Sequence, residues 1–481
     1  MKIAMITSEA NPLCKSGGLA DVVYSLSREF NKANKDSEAV IFLPLYQSIK
    51  NKNIENLTFL GSINVEMSWR KQYAGYFETH IDGIRYILVD NEYYFGRPDL
   101  YGYGDDIERF AFFSLATLDI MRIIGFKPNI VHVHDWQGGM IPTLLKEKFA
   151  NDPFYKNTKS VLTIHNPAFK GMMDKYYLGN YYGLPDSLFE KGLVRFEGQV
   201  STLKSAIVYS DMITTVSPTH RNELLTKELS HGLSGVLKLR EDDFIGIVNG
   251  LDVVEFDPQK DPKIVKNYNA RAFVKAKKEN KADLLATFHV KDNKGPVFGL
   301  VSRLTWQKGI DIIFDNVRYM VERGASLIIL GSGEKDLERK LQNIRDAYPD
   351  RVGIYIGYND ALAHKVYAGS DFFLMPSLFE PCGIGQIIAQ RYGTLPIVRV
   401  TGGLADTVIN YDKNNLDTAN GYSFYDYNGL SLGDAISRSL ETFYVDYKAH
   451  RQLIRNAMKL DRSWKKSTEE YVKVYRKAMK K

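Results

Sequence analysis

The chain has 481 residues, 44% of them hydrophobic and 25% charged, an ordinary balance for a globular protein. That length exceeds what one hydrophobic core usually supports, so two large domains are expected. A formal net charge of +6 without a dense Lys/Arg block permits polyanion binding but does not demand it, and with two cysteines, Cys14 and Cys382, no disulfide framework or Cys-built zinc site is suggested.

The chain opens on Lys2-Ile3-Ala4-Met5-Ile6-Thr7-Ser8, closed by Glu9. This stretch is too short for the apolar core of a signal peptide and reads as a buried first strand. Further apolar runs follow at 39–45, 85–90, 129–135, 160–166 and 212–217. In the second half they stand at 244–250, 297–304, 326–331, 352–358, 371–377 and 395–401. Runs that are apolar throughout indicate strands covered on both faces, as in parallel sheets flanked by helices. Helix-like stretches separate them, the pattern of βαβ units in an α/β chain. The segment 61–90 alternates more and predicts an antiparallel hairpin. The domain junction is expected at 240–243, giving domains 1–243 and 244–460. The end, 461–481, predicts a helix with Trp464, Tyr471, Tyr475 and Met479 near one face, docked on the first domain. No run of roughly 18 apolar residues suggests a membrane span. A cytoplasmic location is expected, since few cysteines suit a thiol-keeping compartment.

One short sequence occurs twice. Gly17-Gly18-Leu19-Ala20-Asp21 returns as Gly402-Gly403-Leu404-Ala405-Asp406, each after a predicted strand and at the start of a predicted helix. Tandem glycines there let backbone approach a ligand, and a helix N-terminus favours anions.

Ligands of open α/β sheets bind beyond the carboxyl ends of the strands. The residues after each strand are therefore the candidates. In the first half these are Glu9 and the Lys15 loop, His132-Val133-His134-Asp135-Trp136-Gln137, His165-Asn166 and, at the junction, Asn249-Gly250. In the second half they are Arg303 and Lys308, Tyr358, and Ser377-Leu378-Phe379-Glu380-Pro381-Cys382-Gly383. Arg303 and Lys308, with Lys15, are placed to surround a diphosphate and stabilise its departure. Glu380 and Asp135 are carboxylates suited to sugar hydroxyls or to positive charge on a sugar ring, and Trp136 offers a stacking face. The histidines lack the helical His-Glu-x-x-His spacing, and no Asp-x-Asp pair occurs, so no metal is expected. Cys14 and Cys382 adjoin the glycine loops and read as small buried fillers.

Together these motifs resemble bacterial glycogen synthase and plant starch synthase, the ADP-glucose-using family of GT-B fold. The resemblance spans nearly the whole chain. It rests on Ser8-Glu9 with Lys15-Ser16-Gly17-Gly18-Leu19-Ala20-Asp21, on Leu100-Tyr101-Gly102-Tyr103-Gly104-Asp105-Asp106 with Glu108-Arg109-Phe110, and on Arg303-Leu304-Thr305 with Gln307-Lys308-Gly309. Glu380-Pro381-Cys382-Gly383 and Thr401-Gly402-Gly403-Leu404 complete it. It implies two Rossmann-like, doubly wound domains facing an interdomain cleft. It also implies retaining transfer of glucose from ADP-glucose to the non-reducing 4-OH of an α-1,4-glucan such as glycogen, without metal or other cofactor. Nucleic acid and membrane are not expected partners, and an oligomer is compatible with the sequence.

By the same resemblance, Lys15, Gly17 and Gly18 with Arg303 and Lys308 hold the diphosphate. Asp135, His165 and Asn166 hold the glucose, and Glu380 with the backbone at Cys382, Gly383, Ile384 and Gly385 grips the donor. Tyr358 lies near the adenine and Asn249 near the donor, while Trp136, Tyr101 and Asp21 face the acceptor. Two positions depart from the family pattern. Gln137 comes after Trp136 where histidine is common, and Gly385 stands where threonine is common, leaving a backbone N–H to meet the phosphate. UDP-glucose as donor, a non-catalytic glucan-binding protein and a nucleic-acid binder are the alternatives. The intact set Lys15, Arg303, Lys308 and Glu380 speaks against a pure binder.

Overall fold

The computed structural model describes residues 1–33 and 36–481. It divides into two units, Met1–Gly250 with Trp464–Lys481, and Leu251–Ser463.

The first unit is built on a nine-stranded sheet. Its strands are β1 (Lys2–Ile6), β2 (Glu38–Pro44), β3 (Thr58–Met67), β4 (Arg70–Ile81), β5 (Ile84–Asp90), β6 (Ile130–His134) and β7 (Lys159–Ile164). After a small three-stranded sheet of β8 (Met172–Met173), β9 (Arg195–Phe196) and β10 (Gln199–Ser201) come β11 (Met212–Thr215) and β12 (Phe244–Gly246). The order is β12-β11-β7-β6-β1-β2-β5-β4-β3. From β12 to β5 neighbours run parallel, and β4 and β3 continue antiparallel. Ile3 to Ile6, Ile130 to His134 and Val161 to Ile164 are fully buried, because helices cover both faces there. β3 alternates instead, with Val65 and Met67 inside and Glu66 exposed, since one of its faces meets water.

The junction expected at 240–243 lies inside this unit. Phe244–Gly246 pairs with β11, so the strand that opens there belongs to the first sheet, not the second. Hydrophobic periodicity reports a buried strand but not its partner, which explains the displaced boundary. The chain leaves after Gly250 and returns at Trp464. Backbone meets backbone at that exchange: a Cβ on Gly250 would lie 2.5 Å from the Trp464 Cα. The Trp464–Met479 helix then packs on the unit through Trp464, Tyr471 and Tyr475, all buried, with Tyr475 edge-on to Phe30 at 6.1 Å. Met479, placed on the same face by sequence, is exposed.

The second unit has six strands, all parallel: β13 (Val297–Val301), β14 (Ser326–Gly331), β15 (Val352–Ile356), β16 (Phe372–Met375), β17 (Leu395–Arg399) and β18 (Tyr422–Phe424). Their order is β15-β14-β13-β16-β17-β18. The three-residue edge strand β18 is too short to give a periodic signal and escapes sequence reading.

Both sheets share one topological feature. In each, winding starts from an internal strand, proceeds to one side, and then restarts on the other side of that strand. The reversal falls between β1 and β6 in the first unit and between β13 and β16 in the second. In open α/β sheets with right-handed crossovers, the carboxyl ends of the two strands at such a reversal are where ligands bind. Among the described residues no helix is long and apolar enough to cross a membrane.

Candidate active site

In the first unit the crevice lies between the loop after β1 and the loop after β6. Glu9 shapes the former. Its carboxylate accepts hydrogen bonds from the backbone N–H of Ser16, from the Ser16 hydroxyl at 3.1 Å and from Gly17 N–H at 3.1 Å. The loop is thus pulled back onto the strand end, and Gly18 opens the next helix. A Cβ on Gly18 would meet nothing within 4 Å. That glycine is not demanded by packing, and the space before it is open. Lys15 extends from this loop and pairs with Asp21 at 2.7 Å, while Asn11 also donates to Asp21. Asp21, read from sequence as an acceptor contact, tethers Lys15.

Asp135 ends β6 with φ of +53°, a left-handed conformation that costs a non-glycine residue energy and marks sites where geometry is imposed. Its side chain explains the turn. Oδ1 accepts from the backbone N–H of His165 at 2.7 Å and of Asn166 at 3.2 Å, tying the β6 end to the β7 end. Only 7% exposed, its carboxyl is pushed up to about 7, first by burial and further by the nearby charge of Glu9, against the lowering effect of the two N–H groups. Tyr101 reaches the same place and shares a 2.8 Å hydrogen bond with Ser8. Its loop is anchored by Arg109, fully buried, which donates to Tyr94 O at 2.7 Å and to Asp106 at 2.6 Å.

Trp136 is half-buried, edge-on to Phe110 at 5.2 Å, which limits the stacking face it offers. His165 is half-buried and bonds His134 ring to ring, Nε2 to Nδ1, at 3.0 Å. Burial drives His132, His134 and His165 down from the usual imidazole range, so all three rings are neutral near pH 7. From sequence His134 is only a poor metal candidate, and nothing local signals its service to His165. Asn166 is exposed beside it, and Asn249 lies in this unit, its Oδ1 buried with no partner among the described residues. Gln137 is buried.

In the second unit the crevice lies between the loops after β13 and β16. Lys308 pairs with Glu380 at 2.5 Å across those two loops. The Ser377 hydroxyl donates to the same Glu380 oxygen, Oε2, at 3.1 Å. Glu380 is only 7% exposed. Leu378 N–H donates to Gln307 O at 2.9 Å and the Gln307 amide to Phe379 O at 3.2 Å, zipping the loops together. Arg303 is exposed and forms no ion pair among the described residues. Its charge is uncommitted, whereas that of Lys308 is balanced.

The second glycine pair has a different purpose from the one read in sequence. A Cβ on Gly402, whose φ is +43°, would overlap the Glu380 carbonyl oxygen, and one on Gly403 would overlap that of Cys382. Gly403 N–H donates to Glu380 O at 3.2 Å and Pro381 O at 3.1 Å. This pair lets backbone approach the protein's own Glu380 loop and supports it from behind. Gly383, with φ of +71°, turns that loop. Ile384 and Gly385 open the next helix, and a Cβ on Gly385 would stand 3.1 Å from the Phe373 ring. The absence of threonine there is therefore matched by a crowding aromatic ring. Tyr358 is 86% exposed beyond edge strand β15, two strands away from β13. Cys14 and Cys382 are buried, and burial pushes the Cys14 thiol up to about 12, as suits a filler.

Glu255, Asp360 and His364 bring ligand atoms within 4.8 Å of one another in the second unit. Lys263 pairs with Asp360 and lies 3.2 Å from His364 Nε2, so an ammonium already supplies the positive charge of that group.

The two glycine pairs predict opposite outcomes. Gly402→Ala is expected to lose about 1–3 kcal/mol of stability through overpacking and strain. Gly18→Ala is expected to stay within about 0.5 kcal/mol of the parent. Urea unfolding of both variants measures the contrast.

Known proteins match this chain throughout. Residues 2–239 match the family described as "Starch synthase catalytic domain" and residues 282–460 "Glycosyl transferases group 1". The glycogen synthase of Clostridium perfringens is 43% identical over all of this chain and 99% of its own length. That of Geobacillus thermodenitrificans is 40% identical, covering all of this chain and 98% of its own. The catalytic domain of starch synthase IV from Arabidopsis thaliana, solved with ADP and acarbose, superposes with a TM-score of 0.90. Its identity is 30%, over all of this chain and 99% of its own. The two doubly wound units are accordingly of the GT-B glycosyltransferase class. Full-length similarity and the two strand-end sites agree: the chain belongs to the glycogen synthase family.

Proposed function

We propose that this chain lengthens an α-1,4-glucan by transferring glucose from ADP-glucose to the non-reducing 4-OH, with retention and release of ADP. The observation that carries the reading is the Lys308–Glu380 pair at the reversal point of the second sheet, beside the uncommitted Arg303. A departing diphosphate needs fixed positive charge, which Arg303 and Lys308 would supply in the second unit without a metal ion, while Lys15 offers a further cation in the first. Glu380, held by Lys308 and Ser377, would accept from sugar hydroxyls. Cys382, Gly383, Ile384 and Gly385 would offer backbone to the donor, with Tyr358 and Asn249 as outer contacts. In the first unit Gly17 and Gly18 would leave room for the donor. Asp135, His165 and Asn166 would hold the glucose, and Tyr101 and Trp136 would meet the acceptor. The C1–phosphate bond breaks as the O4–C1 bond forms, and the 4-OH proton passes to a phosphate oxygen of the leaving ADP. The ADP and acarbose bound by the starch synthase IV structure support nucleotide and glucan as the two ligand classes. Two buried cysteines without a disulfide suit the cytoplasm.

Glucose incorporation into glycogen is expected to be faster from ADP-glucose than from UDP-glucose, and a preference for UDP-glucose would overturn the donor assignment. Glu380→Ala is expected to lower kcat by about a hundredfold or more, the scale for one preorganised electrostatic group. Near-normal turnover would remove Glu380 from the mechanism.

Asp135 gives the reaction a pH dependence. Its folded-state value of about 7 lies above the ordinary 3.8, so the folded chain holds a proton that the unfolded chain releases between those values. This group's contribution to stability therefore falls as pH rises from about 4 to 7. If the carboxylate stabilises developing positive charge, kcat/KM rises through about pH 7 as it ionises. Asp135→Asn, which tolerates the left-handed backbone, is expected to flatten that limb and lower the plateau. An unchanged pH profile in the variant would exclude the role.

A further inference from the structure

We infer that His134 is a positioning residue: it donates from Nδ1 to His165 Nε2 and so locks His165 in the tautomer that presents an Nδ1–H to the substrate. The bond between the rings measures 3.0 Å. With both rings neutral, only one of them can donate. If His165 donated, His134 would carry its own proton on Nε2. That atom is buried and has no partner among the described residues. A buried N–H with no acceptor is the costlier fault, because a donor stripped of water regains nothing. The assignment with His134 as donor leaves only a bare lone pair at that position. His165 must then accept at Nε2 and keep its proton on the other nitrogen.

Donor counting also fixes the ring behind His134. Thr214 Oγ1 donates to Leu162 O, so it accepts from Thr163 Oγ1 at 2.6 Å. Thr163 therefore accepts from His132 Nε2 at 2.6 Å, and His132 Nδ1 accepts from the Tyr475 hydroxyl at 2.9 Å. Every link of this chain is buried, and it begins on the C-terminal helix. The His132 ring packs against His134 with centroids 4.2 Å apart. His134 is thus held from behind by a ring that cannot turn, and it holds His165 in front.

The chemical consequence is directional. His165 offers a sugar hydroxyl a hydrogen-bond donor, not an acceptor. This rests on the proposed placing of His165 against the glucose, and the tests separate the two claims. In full-length protein labelled with ¹⁵N-histidine, the His165 resonance, assigned by its loss in His165→Ala, is expected to show an unprotonated Nε2. A protonated Nε2 would overturn the inference whatever the kinetics. His134→Leu keeps bulk but no donor, and kcat/KM for ADP-glucose is expected to fall about tenfold, the scale of one lost buried hydrogen bond. KM for the glucan is expected to stay unchanged. His134→Asn, whose amide reproduces the Nδ1 donor, is expected to restore activity to within about threefold of the parent. Leu and Asn variants that are equally impaired would reduce His134 to packing and overturn its positioning role. Full turnover in His165→Ala would overturn the placing of His165 on the sugar, and the functional half of the inference with it.

Discussion

Each sheet starts from an internal strand and winds outward twice, and this reversal is the constraint on which the rest depends. Between β1 and β6, and again between β13 and β16, the strand order reverses. The loops that leave those strand ends, not the strands themselves, carry the exposed polar groups Lys15, Asn166 and Arg303. Residues just beyond those strand ends are where open α/β sheets place ligand-binding groups. Asp135 and Glu380 stand at them for that reason. Both are nearly inaccessible, yet each is compensated: Asp135 by two backbone N–H groups, Glu380 by an ammonium and a hydroxyl. A buried carboxylate without such partners would be protonated or would destabilise the fold.

The two carboxylates are compensated differently. Glu380 faces a full positive charge on Lys308. Asp135 has only dipoles to balance it and a second carboxylate, Glu9, nearby, so its carboxyl rises to about 7. One site is therefore built around a fixed ion pair, the other around a group that changes state near neutrality. Preorganisation comes from the same contacts. The Lys308–Glu380 pair and the Gln307 bonds close two loops into one body, and Glu9 folds the glycine loop onto β1.

Support for the first unit's site extends to the far end of the chain. The Trp464–Met479 helix inserts Tyr475 under β6 and β7, and its hydroxyl reaches His132 two residues before His134. Removing water from this stack keeps the imidazoles neutral, which is what lets a chain of single donors define each ring's tautomer. The terminal helix thus completes a polar network as well as an apolar surface.

Much of this fold and site is legible in the residues alone. Uninterrupted apolar runs determined buried parallel strands, since only a doubly covered strand tolerates apolar side chains on both faces. The residues just past a strand are set by local order in the chain, so the positions of the candidates Lys15, Asp135, His165, Arg303, Lys308 and Glu380 beyond strand ends were legible too. Tertiary structure decided whatever depends on neighbours distant in sequence. It placed Phe244–Gly246 in the first sheet, since pairing is chosen by a partner edge and not by the strand's own pattern. It also separated two identical glycine pairs, one opening onto free space and one pressed against Glu380. His134 became a partner of His165 for the same reason: a side chain's duty is set by what lies beside it in space, and thirty-one residues of chain separate the two.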